Sequence, residues 1–396
     1  MECKVLFMRR IYWVGARESD IKTESLFYGS ITRYGIDSKK NTSFINNSFT
    51  DSYDNFLLNI LNEKLNISQD NYFMFSNQIN AYKFGRQIYK HSICTNKLSI
   101  VESLNNKMFF RQFINQTVNT PPSIAMNISE RKYKMACNKV NTPPSIAMNI
   151  SNYVDYNFIK SLFNNYYPEF VVQILNSGGG IGNVIFTEND DVSVLSNLEQ
   201  PVLITPYLKN ALPINVHIAV SNTNVFVFPP SVQIISNMFN YCGSDFIKYS
   251  ELENNVKRKL YIECQKLGKK IQSIGAIGVF GVDLLLYNDK LFFIECNYRY
   301  QGSSFILNRI LLENGLPSIF EIHYLSFKDE IKNLPIDLYN IKANYSSFRR
   351  TKSNYNIKLP TPKEIITDGN DINNSLRNGY IHYELFDTSI YDCFEK

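Results

Sequence analysis

The spacing of apolar and polar positions changes several times along this chain. Two short apolar runs, IYWV at 11–14 and YFMF at 72–75, flank FLLNILNEKL at 56–65, where Phe56, Leu57, Ile60, Leu61 and Leu65 share one helical face. Strand, helix, strand in that order predicts an open α/β domain. LNNKMFFRQFINQT predicts a helix that stops near Gln116, because the Asn-Thr-Pro-Pro after it pushes the chain out of the α region. VDYNFIKSLFNNYY reads as a further helix, FVVQIL as a strand, and NVIFTENDD as its return strand across SGGGIG at 177–182. VLITPYL, INVHIAV and NVFVFPPSVQII are three extended segments. From 251 to 275 the spacing predicts a long amphipathic helix with Leu252, Val256, Leu260, Ile262, Leu267 and Ile271 making most of its apolar face. GVDLLLY and KLFFIECN follow as strands joined by Asn-Asp, a hairpin turn. From about 331 the chain is Asn-rich and partly aperiodic, with a strand-like piece at YIHYELF.

One pattern overrides period altogether. VNTPPSIAMNIS stands at 118–129 and again, unchanged, at 140–151, an offset of 22 residues. A stacked-repeat architecture needs about three or more units to bury a continuous core, and the sequence holds no third copy. The duplication is therefore an event inside another fold.

Composition narrows the class. With 396 residues and ordinary apolar content, the chain can build two or three compact cores. A net charge of +5 without a long basic run, and with Lys257, Arg258, Lys259, Lys266, Lys269 and Lys270 at helical spacing, reads as a solvated helix face and argues against nucleic acid. Seven scattered cysteines without a C-x-x-C pair fit reduced thiols in a cytoplasmic protein better than a disulfide framework or a zinc site. No apolar segment reaches the ~20 residues that span a bilayer, and the N-terminus lacks a secretory apolar core.

Three features carry chemistry. SGGGIG joins two strands, so it is neither a dinucleotide turn nor a P-loop; Gly178, Gly179, Gly180 and Gly182 form either a flexible hairpin tip or a cover of backbone N–H groups for phosphate oxygens. In GVDLLLYNDKLFFIECNYRYQGSS, alternation places Glu295, Asn297 and Arg299 on one strand face, with Asp283 able to meet them from the hairpin partner. Two carboxylates and an amide oxygen beside a cation make a hard-oxygen site of the type Mg²⁺ uses. Their neighbours Leu284, Leu285, Phe292, Phe293 and Ile294 are apolar, so these charges need a metal or an arginine partner. The simpler alternative is a structural Arg299–Glu295 ion pair.

These motifs, in this order, resemble the ATP-grasp superfamily. GAIGVFGVDLLLYNDKLFFIECNYRYQGSS is similar to its metal-binding signature, FVVQILNSGGGIGNVIF to its phosphate-covering loop, VLITPYL to its adenine hinge, and KMFFRQFINQTVNTPP to the segment opening its small lobe. The resemblance covers roughly 100–325. It implies an α/β (α+β) ATP-grasp fold: a Rossmann-like pre-ATP-grasp domain at 1–100, a small lobe at 101–202, a large lobe at 203–330 and a C-terminal extension at 331–396. It also implies Mg²⁺ on Asp283, Glu295 and Asn297, and Arg299 steadying the reacting acyl phosphate. ATP would be held by Lys107, Gln173, the four glycines and Thr205, Pro206, Tyr207 and Leu208. Lys107 could equally be a solvent-exposed helix lysine. Gln173 and Thr205 depart from the family pattern, which has a lysine and an acidic residue there. His217, Gln233 and Gln301 are candidate substrate contacts, although lone polar residues on strands also serve structure alone.

The activity implied is that of an ATP- and Mg²⁺-dependent carboxylate-amine ligase acting on small molecules, of the subgroup that makes peptide or amide bonds. Its rivals are capture of the acyl phosphate by a carrier-protein thiol or in bicarbonate chemistry, and a degenerate, non-catalytic nucleotide binder. A homodimer stays open. Within the small lobe the duplicated 22 residues (118–139 and 140–161) should supply one strand SIAMNI and one surface excursion with ERKYKMACNK. The second copy is expected to be the lobe's own strand, since it leads directly into the next helix.

Overall fold

The structure, a computed structural model, describes residues 10–15, 21, 26–32, 35–38, 41–44, 71–83, 86–127, 147–149, 155–175, 182–191, 193–196, 198, 201–236, 239–331, 334, 338–351, 354, 356–367 and 382–394. The helix expected at 56–65 and the glycines at 178–180 lie outside the described residues.

Three sheets organise the chain. The first runs Asn41–Phe44, Gly35–Ser38, Gly29–Thr32, Arg10–Val14, Asn71–Phe75. Arg10–Val14 pairs parallel with both neighbours, and the outer strands close as antiparallel hairpins. Parallel strands are covered on both faces, which explains why IYWV is buried throughout. Trp13 meets Phe27, Tyr300 and Phe320, so this sheet packs on the helix Ile319–Lys328 and on the segment that follows the acidic strands.

The second sheet runs Ala147–Asn149, Ile124–Asn127, Val202–Pro206, Phe170–Ile174, Val184–Phe186. The helix Tyr156–Leu162 covers one face through Tyr156 and Ile159, which pack with Ile124, Phe170, Val172, Phe186, Val202 and Ile204. Both copies of the duplicated stretch are in this sheet, side by side and parallel, with Ala125 opposite Ala147, Met126 opposite Met148 and Asn127 opposite Asn149. A parallel return needs a crossover of a dozen or more residues, and the offset supplies it.

The expectation for the copies is therefore corrected. The first copy pairs with the central strand, Val202 opposite Met126 and Ile204 opposite Ile124, and the second lies outside it. The cause is anchoring upstream of the strand. Phe293 N donates to Asn119 O at 2.9 Å, and Arg111 Nη1 donates to Ser123 Oγ at 2.6 Å, so the first copy is tied to the acidic strand and to the helix before it. Deleting 130–151 gives the same product as deleting 118–139, because the copies are identical. Since loop length alters closure entropy only slowly, that variant is expected to keep its urea midpoint and its nucleotide binding; loss of cooperative unfolding would show that the outer strand is required.

The third sheet has nine strands and is antiparallel: Lys290–Asn297, Gly278–Tyr287, Leu212–Val220, Ser231–Ile235, Tyr241–Asp245, Ser346–Arg350, His382–Phe386 and Glu364–Thr367 in spatial order, with Val225–Val227 paired to Leu212–Val220. The Asn288–Asp289 turn has φ of 48° and 57°, the left-handed pair that a two-residue hairpin demands. The helix Asn254–Gln272 packs on this sheet through Leu260, Cys264, Leu267 and Ile271. Ile262, expected on that apolar face, is exposed; Cys264 takes the buried place because it falls four residues after Leu260.

The aperiodic tail extends this sheet, with Arg350 bonding Glu384 through Nε at 3.1 Å and Nη2 at 2.5 Å in a buried fork. Among the described residues, no helix is long and apolar enough to cross a membrane, and Cys94, Cys242, Cys264, Cys296 and Cys393 are free thiols.

Two buried histidines bind elements together. His323 Nδ1 accepts from Val279 N at 2.9 Å, which leaves Nε2 to donate to Cys94 O at 3.2 Å. His217 Nε2 lies 2.9 Å from Ser304 Oγ. Burial holds His323 down to about 4 and His217 down to about 3. Below about pH 6.5 the unfolded chain therefore takes up protons that the folded chain refuses, and stability falls as pH falls by about 1.4 kcal/mol per unit per histidine. Urea midpoints should drop between pH 7 and pH 5, and His323→Gln should flatten that slope.

Candidate active site

The helix expected as one run is broken in two. Leu98–Asn105 ends and Lys107–Ile114 begins across Asn106, which leaves helical geometry and caps the second helix by accepting from Phe109 N at 3.0 Å. The break places Lys107 at the first turn, facing inward. Lys107 is 3% exposed, not solvent-exposed; its Nζ lies 3.2 Å from Glu295 Oε2 and donates to Ile174 O at 3.3 Å. One turn on, Arg111 is also buried. Its Nε donates to Ile294 O at 2.8 Å, Nη1 to Ser123, and Nη2 to Gln173 Oε1 at 3.0 Å. Burial pulls this guanidinium down to about 10, and the charge of Glu295 opposes that pull.

The carboxylates meet as the hairpin predicts. Asp283 stands opposite Glu295, with a bulge between Asp283 and Leu284. Asn297 Nδ2 donates to Asp283 Oδ2 at 2.9 Å and to Glu295 Oε1 at 3.1 Å. Burial and the charge of Glu295 push Asp283 up to about 8. Burial also works to raise Glu295, but Lys107, Asp283 and Asn297 outweigh it and hold Glu295 below its ordinary value. The two carboxyls are thus pushed in opposite directions, Asp283 up and Glu295 down.

An amide shell surrounds Asp283. Asn215 Nδ2 donates to Asp283 Oδ1 at 2.6 Å and to Gln301 Oε1 at 2.8 Å, Ser303 Oγ donates to Asn215 Oδ1 at 3.0 Å, and Gln233 Nε2 donates to Asp283 Oδ1 at 3.1 Å. Gln301 lies so close to Gly281 that a Cβ there would sit 1.7 Å from its Oε1. Gly281→Ala should displace the flexible end of Gln301 and cost only the lost contact with Asn215, about 1 kcal/mol of stability; a loss well above that in the urea midpoint would contradict this packing.

Other expected residues fall differently. His217 Nε2 meets Ser304 Oγ, which also accepts from Gln301 N at 2.8 Å. Arg299 leaves the strand line, because the strand ends at Asn297 and Arg299 N turns back to Asn297 O at 2.7 Å. It bridges to Asn77 at the end of the first sheet. The ion pair of Glu295 is with Lys107, and among the described residues none joins it to Arg299. Gln173, Asp283, Glu295, Asn297, Gln233 and Gln301 are thus brought together with Lys107.

A site of this kind, a lysine and two carboxylates between the second and third sheets, coincides with a family match: the model described as the ATP-grasp domain matches residues 104–303. The chain belongs to the ATP-grasp family. Solved ATP-grasp structures share its fold across nearly the whole length. Carboxyaminoimidazole ribonucleotide synthase from Aspergillus clavatus, solved with ATP, aligns at a TM-score of 0.59 and 12% identity, covering 98% of this chain and 95% of that one. The L-amino acid ligase from Bacillus licheniformis aligns at 0.56 and 12%, covering 98% and 95%. The biotin carboxylase domain of Hydrogenobacter thermophilus 2-oxoglutarate carboxylase, a dimer solved with MgADP and bicarbonate, aligns at 0.61 and 14%, covering 96% and 86%. At such identities the likeness is one of fold. No curated protein matches the sequence.

The segment expected as the hinge comprises the strand Val202–Pro206 and the two residues after it. Thr205 Oγ1 donates to Val171 O at 3.4 Å, Tyr207 N donates to Glu169 O at 2.9 Å, and Leu208 is buried. Gly182 ends the glycine-rich turn at φ 75°, with no room for a Cβ against Ile174. Among the described residues no group of three or more His, Cys, Asp and Glu forms a cation cage. The donor set is two carboxylates and an amide, and it suits Mg²⁺, which uses one or two carboxylates and completes its shell with water and phosphate oxygens. The Asn297 amide gives both carboxylates its nitrogen, so its oxygen remains a donor for a cation. The high Asp283 value marks a place where added positive charge is favoured.

Sequence reading missed Arg111, Asn215 and Ser303. Arg111 has the signal of Lys107 plus one helical turn, and Asn215 alternates with His217 as a polar position within an otherwise apolar strand.

Proposed function

We propose that this ATP-grasp protein is an ATP- and Mg²⁺-dependent ligase that joins a carboxylate to an amine through an acyl phosphate. The observation that carries the reading is the bonded network from Lys107 through Glu295 and Asn297 to Asp283, set between the second and third sheets. In the first step a substrate carboxylate oxygen attacks the γ-phosphorus of ATP; the new O–P bond forms as the bond to ADP breaks. In the second, an amine attacks the acyl carbon, the C–N bond forms, phosphate leaves, and the amine loses its proton.

Lys107 and the Gln173 amide would hold phosphate oxygens, with the glycines at 178–182 as cover and Thr205 to Leu208 around the adenine. Arg299 would face the negative charge that develops at the acyl phosphate, a placement that is commonly a large catalytic term. Bound to Asp283, Glu295 and Asn297, Mg²⁺ would neutralise the phosphate charge. Closure of the small sheet over the large one would exclude water from the acyl phosphate.

An amine acceptor is favoured over bicarbonate or a carrier thiol by the -QGSS ending and the Gln173 strand, which look most like amide-forming members, and the L-amino acid ligase likeness is consistent with it. Incubation with MgATP and a panel of amino acids and peptides should give ADP, phosphate and a new amide by mass spectrometry. ADP formation with bicarbonate alone would favour carboxylation, and MgADP binding without any turnover would favour a non-catalytic binder.

A further inference from the structure

Gln173 occupies a place where its orientation decides what the nucleotide would meet. A primary amide offers an acceptor at one end and donors at the other, and little in its own shape distinguishes them. Arg111 removes that ambiguity. A guanidinium only donates, so the contact of Nη2 with Gln173 Oε1 at 3.0 Å requires the carbonyl end inward and the –NH₂ end outward. The outward nitrogen lies 3.5 Å from Asn183 Oδ1, one residue after Gly182, where the chain leaves the glycine-rich turn.

The guanidinium is itself fixed. Its other contacts are neutral oxygens, Ile294 O at 2.8 Å and Ser123 Oγ at 2.6 Å, and Ser123 Oγ in turn donates a hydrogen bond to Pro121 O at 2.8 Å. The frame thus joins the helix, the first copy of the duplicated stretch, the Gln173 strand and the acidic strand. The charge of Glu295 offsets part of this cation's field, but the groups bonded to the guanidinium are neutral, so a share of the field is left for an anion that approaches the far side of the amide.

We propose that Arg111 is a positioning residue of the nucleotide site: it turns the Gln173 –NH₂ toward the polyphosphate and supplies the fixed positive charge behind it. This rests on the nucleotide reading above. Charge at this point comes from the helix and not from the strand, so a lysine at 173 would be repelled by Arg111 unless Arg111 were neutralised.

The test is MgADP affinity by titration calorimetry together with the melting temperature of the ligand-free protein. Q173E keeps an acceptor for Arg111 and adds an ion pair, so its melting temperature should hold or rise; the outward donor is replaced by a carboxylate oxygen, so MgADP affinity should fall by about tenfold or more. A role in folding alone would not separate the two readouts. Q173K should melt lower and bind more weakly, and R111M/Q173K should recover MgADP affinity but not the full melting temperature, because Ile294 O and Ser123 Oγ lose their donor. MgADP binding by Q173E within about twofold of the natural protein, or no recovery in R111M/Q173K, would overturn the inference. If R111M/Q173K does not fold, Q173E decides alone. If the natural protein itself binds no MgADP, the nucleotide reading fails and this inference with it, an outcome distinct from normal binding that Q173E leaves unchanged.

Discussion

Asp283→Asn is expected to abolish ATP-dependent turnover, by about 10³-fold or more, while leaving the protein folded and close to its original stability. Most buried carboxylates could not be replaced so gently. Asp283 is different because burial and Glu295 already hold it near neutrality at pH 7, pushed up to about 8. An amide nitrogen in place of Oδ2 can face Glu295, and the oxygen that accepts from Asn215 and Gln233 is retained; the Asn297 –NH₂ that now donates to Oδ2 at 2.9 Å loses that acceptor, a cost of about 1 kcal/mol. What the substitution removes is the second negative charge that a divalent cation would call on. Glu295→Gln is the less clean experiment, since it also strips Lys107 of its carboxylate partner at 3.2 Å and breaking a buried pair is itself destabilising. Steady-state ADP release and a urea titration on Asp283→Asn measure the two halves separately; turnover within tenfold of the natural protein would remove Asp283 from the metal site.

Glu384→Gln is expected to have the largest effect on stability, about 3–5 kcal/mol, with the chemistry of the site untouched. Arg350 and Glu384 lie opposite each other's neighbours on Ser346–Arg350 and His382–Phe386, and both are at most 9% exposed. The fork between them, at 3.1 and 2.5 Å, neutralises two charges that water does not reach. Arg350 also donates through Nη1 to Asn354 O at 3.1 Å and Ile357 O at 2.9 Å, so losing the carboxylate disturbs the turn as well. Because these strands continue the sheet that bears Asp283, unfolding should stay cooperative and shift as one transition in urea. A separate early transition would show that the tail folds independently.

The acidic hairpin was legible in the sequence because its signals are local: a period of two, an Asn-Asp turn and a carboxylate on each strand. What stayed hidden depends on contacts between distant segments. Arg111 meets Gln173 and Ile294 only after three elements assemble, and its one signal in KMFFRQFI, a place one helical turn after Lys107, does not reveal those partners. The helix break at Asn106 was concealed by apolar residues on both sides that continue the same period. In the tail, short strands are stabilised by cross-sheet partners such as Phe348 and Phe386, not by their own periodicity. The duplicated stretch shows the same limit: two identical segments have identical propensities, and only the contacts of Asn119 and Ser123 separate the inner strand from the outer one.

The central claim is that the Lys107, Asp283, Glu295 and Asn297 network is a Mg²⁺-nucleotide site. Calorimetric titration of ADP into the natural protein and into Asp283→Asn, each with Mg²⁺ and with EDTA, tests it most directly. The account predicts micromolar binding to the natural protein that weakens when Mg²⁺ is removed, and loss of that Mg²⁺ dependence in Asp283→Asn. No binding to the natural protein, or binding that is indifferent to Mg²⁺ and to Asp283→Asn, would contradict it.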